Sequence, residues 1–428
     1  MKKVIPFLLF VLLSLLIKAQ DLYFPPTSGT TWETITPQEI GWCADELPAL
    51  QTYLDESDTK AFLILKDGKI VVEWYFGTFT QDSVWYWASA GKSLTAFLVG
   101  LAQEQGYLSI DDPSSNYLGT GWTSLTPEQE LAITIRNQLT MTSGLNDGLD
   151  DPFCTDPACL QYIAAPGSRW AYHNAPYTLL DGVLTEATGS SLNQMVLNNL
   201  SFTTGITGAY IPSGYNNTFY SRARSMARFG LLMLNNGIWN GNVIMNDQSY
   251  LYDMIHPSQN LNQSYGYLWW LNGGDSFMYP QSQIVFPGML MPSAPADLYA
   301  AEGKNAQFIN IVPSENLIVV RMGNDPVNTL VSVTYNNEIW DYLNLIRCGG
   351  QSIPESVPEL SLFPNPAQDK ISIQEGQFIQ VEVFNSSGEK QKIDFNSKEV
   401  EIASLPPGIY YLKAETTKGV CSSKFVKQ

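Results

Sequence analysis

Between Ala61 and Phe76 the apolar and β-branched residues fall into two short runs, Ala61–Leu65 and Ile70–Tyr75, divided by Lys66-Asp67-Gly68-Lys69. Asp-Gly between such runs predicts a β-hairpin. Downstream, Leu94, Phe97, Leu98, Leu101 and Ala102 recur at helical spacing, the stripe of a helix laid on a core, with Gly106 placed to end it. A second stripe, Tyr177, Leu179, Leu180, Val183 and Leu184, stops at Gly189. Two further β-runs, Phe308–Val312 and Leu317–Arg321, flank a Pro313-Ser314-Glu315-Asn316 turn. After Pro364 the pattern changes. Short β-type runs at Lys370–Ile373, Ile379–Phe384, Val400–Ile402, Ile409–Ala414 and Ser422–Val426 alternate with Gly, Pro and Asn turns, which predicts a small β-sandwich.

These changes of pattern divide the chain. Lys2-Lys3 followed by the apolar run Val4–Ile17 reads as a signal peptide over 1–19, too short to span a bilayer comfortably. Residues 350–359 have the Pro, Ser and Glu content of a linker. A large domain is therefore expected over 20–349 and a β-domain over 360–428. No other segment is long and apolar enough to span a membrane, so none is expected after signal removal.

Charge and cysteines narrow the function classes. Residues 21–359 hold 12 Lys and Arg against 33 acids, whereas 360–428 hold eight of each. Such a field disfavours nucleic acid and anionic membranes as partners. Of the five cysteines, Cys154 and Cys159 are close enough to close a small disulfide loop, and Cys43 could pair with Cys348. The only histidines, His173 and His256, lack ligand-like spacing, so no metal or other cofactor is expected.

The chemistry starts at Ser89-Ala90-Gly91-Lys92, at the head of the first apolar helix. A serine and a lysine three apart on a helix share a face, so the amine can take the proton that keeps a free hydroxyl unreactive. Ser57-Asp58-Thr59-Lys60 and Ser387-Gly388-Glu389-Lys390 match the same pattern, but both read as solvated loops. With no plausible histidine triad, Tyr172 in Tyr172-His173-Asn174 is the candidate second proton carrier. Tyr-x-Asn also occurs at Tyr215, Tyr335 and Tyr342, yet only Tyr172 has a Pro166-Gly167 turn before it and an amphipathic helix after it.

Together with Leu139-Thr140-Met141-Thr142-Ser143-Gly144-Leu145, Pro166-Gly167-Ser168-Arg169-Trp170-Ala171-Tyr172, Ala227–Leu234 and Tyr265–Trp270, these residues resemble the class C β-lactamase-related serine hydrolases. The likeness runs from about residue 35 to 347, toward the esterase and 6-aminohexanoate-dimer hydrolase-like members. It implies an α+β fold: a β-lactamase-like antiparallel sheet flanked by helices, a helical subdomain, and then the small all-β sandwich. It also implies a motif of a cation, a hydroxyl residue and glycine on a sheet-edge strand. Here Ala301-Glu302-Gly303 stands in that place, with Ala301 for the cation and Lys304 next in line.

The β-domain has its own likeness. Leu362-Phe363-Pro364-Asn365-Pro366-Ala367, Val381–Gly388, Leu405–Leu412 and Lys424-Phe425-Val426-Lys427 resemble the C-terminal sorting domain of the type IX secretion system. That resemblance implies secretion to, or beyond, the surface of a Gram-negative bacterium, with the secretion machinery as a partner. The expected activity is cleavage of a small ester, amide or peptide. Ser89 would be the nucleophile, Lys92 and Tyr172 would move its proton, the amides of Ser89 and Lys304 would hold the oxyanion, and Asn174 would bond the lysine or the substrate. Trp85, Trp170 and Trp269-Trp270 are candidates for an apolar substrate wall. A D,D-peptidase or D-aminopeptidase acting on cell-wall peptides, or a non-catalytic surface-binding protein, are the rival readings.

Overall fold

The computed structural model describes residues 22–324, 331–348, 362–373, 378–385, 390–396, 398–416 and 419–427. The expected signal peptide, the linker and Ser387 lie outside them. The Asp67-Gly68 hairpin forms as read: β1 (Thr59–Lys66) pairs with β2 (Lys69–Tyr75), and both turn residues take positive φ, 51° and 81°. That geometry is what a tight two-residue loop between right-twisted strands requires. Four later strands complete an antiparallel sheet: β3 (Trp270–Leu271), β4 (Tyr299–Gly303), β5 (Gln307–Val312) and β6 (Leu317–Gly323). Their order is β2-β1-β6-β5-β4-β3, so the first hairpin joins a sheet built mostly from the end of the domain.

Side chains alternate across each strand and sort the covering helices. Ile309 and Ile318 face the helix Ala223–Leu234, where a Cβ on Gly230 would sit only 2.9 Å from Ile318. Asn310 and Arg321 face the other way, to the helix Val333–Ile346, and meet Asn336 and Tyr335 there. Leu47–Glu56 packs beside that last helix, with the Tyr53 ring 4.7 Å from Tyr342 and 5.6 Å from Tyr335. Cys43–Cys348 ties the two ends of the domain across 305 residues. Reducing this bridge is expected to cost about 2–5 kcal/mol by freeing the unfolded chain. A urea midpoint unmoved in a Cys43→Ser/Cys348→Ser protein would show that the bridge contributes nothing.

The stripe from Leu94 to Ala102 lies on a helix, Gly91–Glu104, but the helix is buried on every side and not along a stripe alone: no residue from Gly91 to Ala102 is exposed. It is the central helix of the domain. Its polar residues are accommodated singly, Ser93 donating to Leu268 O at 2.7 Å and Thr95 bonding Tyr210 at 3.0 Å. Short helices between residues 115 and 204 make a subdomain with a core of its own around Trp122, Ile133, Leu145 and Leu160. Cys154–Cys159 closes the loop anticipated there. Beyond residue 361 two four-stranded antiparallel sheets enclose Ile371, Val383, Val400, Leu412 and Phe425, the expected small all-β sandwich.

One loop assignment is corrected. Ser57 is not solvated: it ends the helix Leu47–Glu56 with its hydroxyl donating to Tyr53 O at 2.7 Å and touching Tyr335, and it is buried. Lys60 lies on β1 with its ammonium 4.8 Å from the Trp85 ring, away from Ser57.

Candidate active site

The chain reaches Ser89 along a short strand, Trp85–Tyr86, paired with Asn216–Ser221. Trp87 anchors the bend that follows: its amide donates to Phe219 O at 2.8 Å and its indole to Ser221 Oγ at 2.7 Å. Ala88 then takes φ 47°, a left-handed conformation that a non-glycine residue adopts only under constraint. The bend delivers Ser89 into a short turn, Ala88–Ala90, stacked directly on the central helix that carries Lys92.

Lys92 is buried, and its Nζ donates to Ser89 Oγ at 2.9 Å. Burial pushes the amine down to about 7. The Tyr177 and Tyr172 ring centres lie 4.2 and 5.4 Å from it, a contact that favours the charged form. Desolvation outweighs this: taking an ammonium out of water costs several kcal/mol, a ring face returns about 0.5–2. The result is an amine that can be neutral at physiological pH while bonded to the serine hydroxyl.

Tyr172 completes the cluster. Burial drives its hydroxyl well above the usual phenol range, and the Ser89 hydroxyl bonded to it draws it part of the way back. It therefore stays protonated at neutral pH, suited to relay a proton rather than to start the reaction as a base. Tyr265 and Trp270 pack on its ring, at 6.2 and 5.5 Å from it, and Trp170 packs on both of them in turn. Trp170, Trp269 and Trp270 are fully buried and form no exposed wall; Trp85 alone of the four is half-exposed. Of the two partners expected for Asn174, the lysine and the substrate, the structure bears on the first. Asn174 is buried at the start of the helix Asn174–Thr178, but its Oδ1 accepts no hydrogen bond, from Lys92 or any other described residue. His173 beside it is held neutral by burial, its pKa down to about 4.

Strand β4 closes the other side. Gly303 faces the serine turn so closely that a Cβ would lie 2.6 Å from Trp87 O, 2.8 Å from Ala90 N and 2.9 Å from Ser89 N. All three are backbone atoms, which cannot rotate away. Gly303→Ala is expected to cost about 1–3 kcal/mol of stability and to lower kcat by displacing the serine amide. A thermal melt and rate constant both equal to those of the parent protein would contradict this packing. Ala301, in the position expected for the cation, is completely buried, and Lys304 points its side chain to solvent. The motif position itself therefore holds no cation, and the next residue that carries one is exposed.

Residues 56–339 match the Beta-lactamase family, and residues 361–428 match the Secretion system C-terminal sorting domain. An uncharacterized protein of Alkalihalophilus pseudofirmus is 26% identical over 311 residues, 63% of this chain and 85% of its own length. The 6-aminohexanoate-dimer hydrolase of Paenarthrobacter ureafaciens is 32% identical over 98 residues, which span 22% of this chain and 25% of that enzyme. A solved family VIII carboxylesterase superposes with a TM-score of 0.52 at 13% identity, over 71% of this chain and 98% of the other, which establishes likeness of fold. With the family match covering all six strands of the sheet and the helix that carries Lys92, the chain belongs to the Beta-lactamase family of serine hydrolases and carries a type IX secretion sorting domain behind it.

Proposed function

We propose that this protein is an exported hydrolase that cleaves ester or amide bonds through an acyl-enzyme on Ser89. One observation carries the reading: a buried amine, pushed to about 7, donating to the hydroxyl of Ser89 at 2.9 Å. In the acylation step Ser89 Oγ attacks the carbonyl carbon and its proton passes to neutral Lys92. The carbonyl oxygen becomes an oxyanion facing the amides of Ser89 and Lys304, each worth roughly 3–4 kcal/mol when well placed. As the tetrahedral intermediate collapses, the bond to the leaving group breaks and Tyr172 passes a proton to that group, regaining one from Lys92. Water then attacks the acyl-enzyme by the same route in reverse, releasing the acid and restoring Ser89. Asn174 Oδ1, buried and unbonded, is free to accept from a substrate N–H.

The names of the relatives support both bond types, an amide for the 6-aminohexanoate-dimer hydrolase and an ester for the carboxylesterase. The buried Ala301 argues against recognition of a substrate carboxylate by a motif cation, and so against a peptidase acting on cell-wall peptides. The sorting domain supports delivery outside the cell.

The pH profile tests the base. With the free amine as the working form, kcat/KM for a p-nitrophenyl ester should rise about tenfold per pH unit below about 7 and level off above it. A profile flat across that range would remove Lys92 as the base. Faster turnover of a D-Ala-D-Ala peptide than of the ester would favour the peptidase reading, and failure of a fluorophosphonate probe to label the protein would favour a binding protein.

A further inference from the structure

The Lys304 amide, the second oxyanion donor in the proposed reading, sits on a turn with two residues in the left-handed region. After Gly303 the chain bends through Asn305 (φ 61°, ψ 31°) and Ala306 (φ 53°), adjacent non-glycine residues in the left-handed region. Each such residue costs on the order of 1 kcal/mol or more and persists only where its surroundings impose it. The Asn305 side chain bonds the Tyr86 hydroxyl, and two buried side chains hold the backbone of the turn. Arg321 lies opposite Phe308 in the sheet register, on the face turned away from Ser89, with its guanidinium 4.6 Å from the Tyr335 ring. It reaches round the sheet end and donates to Asn305 O at 3.2 Å and Ala306 O at 3.0 Å. Its remaining donors bond Thr59 Oγ1 at 2.9 Å, Ser57 O at 3.0 Å and Asn324 O at 2.8 Å. Gln307 works from the opposite face: its amide donates to Asn305 O at 3.0 Å and Gly323 O at 2.6 Å and accepts from Gly323 N at 3.0 Å.

We infer that Arg321 and Gln307 are positioning residues for hydrolysis, clamping the strained turn so that the Lys304 amide stays aimed at the oxyanion. The inference rests on the reading of Ser89 as nucleophile and of the Lys304 N–H as its oxyanion partner. Lysine cannot replace this arginine: an ammonium is a point donor, whereas the planar fork spans carbonyls on separate segments at once. A loosened turn misplaces one oxyanion donor, and loss of such a donor costs about 10²–10³-fold in kcat when complete.

The test compares full-length wild type with Arg321→Lys and Gln307→Met, counting active sites by the stoichiometry of fluorophosphonate labelling. Both variants are expected to lose about 10–100-fold in kcat per labelled site, with KM changed less than about threefold. A merely structural role would lower the number of labelled sites and the melting temperature but leave kcat per site intact. That outcome, in either variant that folds, overturns the inference. Adding Ala306→Gly to R321K relieves the φ 53° strain, so stability should recover while kcat per site stays low; recovery of kcat as well would also overturn it. If wild type itself takes no label, the nucleophile reading fails first and this inference with it. A labelled wild type beside an unimpaired R321K sinks the inference alone.

Discussion

Ser89→Ala should abolish ester turnover, by roughly 10⁴-fold or more, and leave no site for covalent labelling. The substitution removes one oxygen from a turn that is fixed by its neighbours: Trp87 bonds Phe219 and Ser221, and Gly303 presses on the turn from β4. The fold is therefore expected to survive, with an unchanged far-UV spectrum. Intact-mass measurement after exposure to a fluorophosphonate provides the check. A full adduct forming at the parent rate would place the nucleophile elsewhere.

Lys92 should be almost as demanding. Lys92→Ala is expected to lower kcat/KM by about 10²–10⁴-fold, the range for loss of a general base. Lys92→Arg separates base from charge, because a guanidinium does not give up its proton and yet keeps the cation. It should be as inactive as the alanine variant; substantial activity in it would mean that the residue acts by charge. Lys92→Met carries an opposite expectation for stability. The amine is buried among Tyr172 and Tyr177 with no carboxylate bridged to it among the described residues, and its depressed pKa records the cost of that burial. A methionine of similar length avoids the cost, so the melting temperature should rise while turnover disappears. A lower melting temperature would show that the bond to Ser89 outweighs desolvation.

The parts of this site visible in the sequence are those whose logic is local. Ser89 and Lys92 are one helical turn apart, and the helix that unites them announces itself in Leu94, Phe97, Leu98 and Leu101. Tyr172 could be placed because a turn and a helix bracket it. The Asp67-Gly68 hairpin is likewise a short-range decision of the backbone. What local pattern could not supply is burial, which depends on partners far along the chain. Ser57 looks like a solvated serine until Tyr335, 278 residues later, covers it. The tryptophans Trp170, Trp269 and Trp270 look like a wall but pack inward. Tyr177 was legible as a core position, yet its ring against Lys92 follows from how two helices meet. Arg321 did leave a trace: it is the one charge in the otherwise apolar run Leu317–Met322. Its partners at Ser57, Thr59, Asn305 and Ala306 converge only once the sheet order is known.

The bridge between Cys43 and Cys348 turns the chain between them into a covalent ring. A protease that cuts after residue 348 releases the β-sandwich and leaves this ring whole. One that cuts at an exposed loop inside it yields two fragments that still migrate as a single species until a reductant is added. Gel mobility with and without thiol therefore reports, without any activity assay, on which side of Cys348 the chain has been cut.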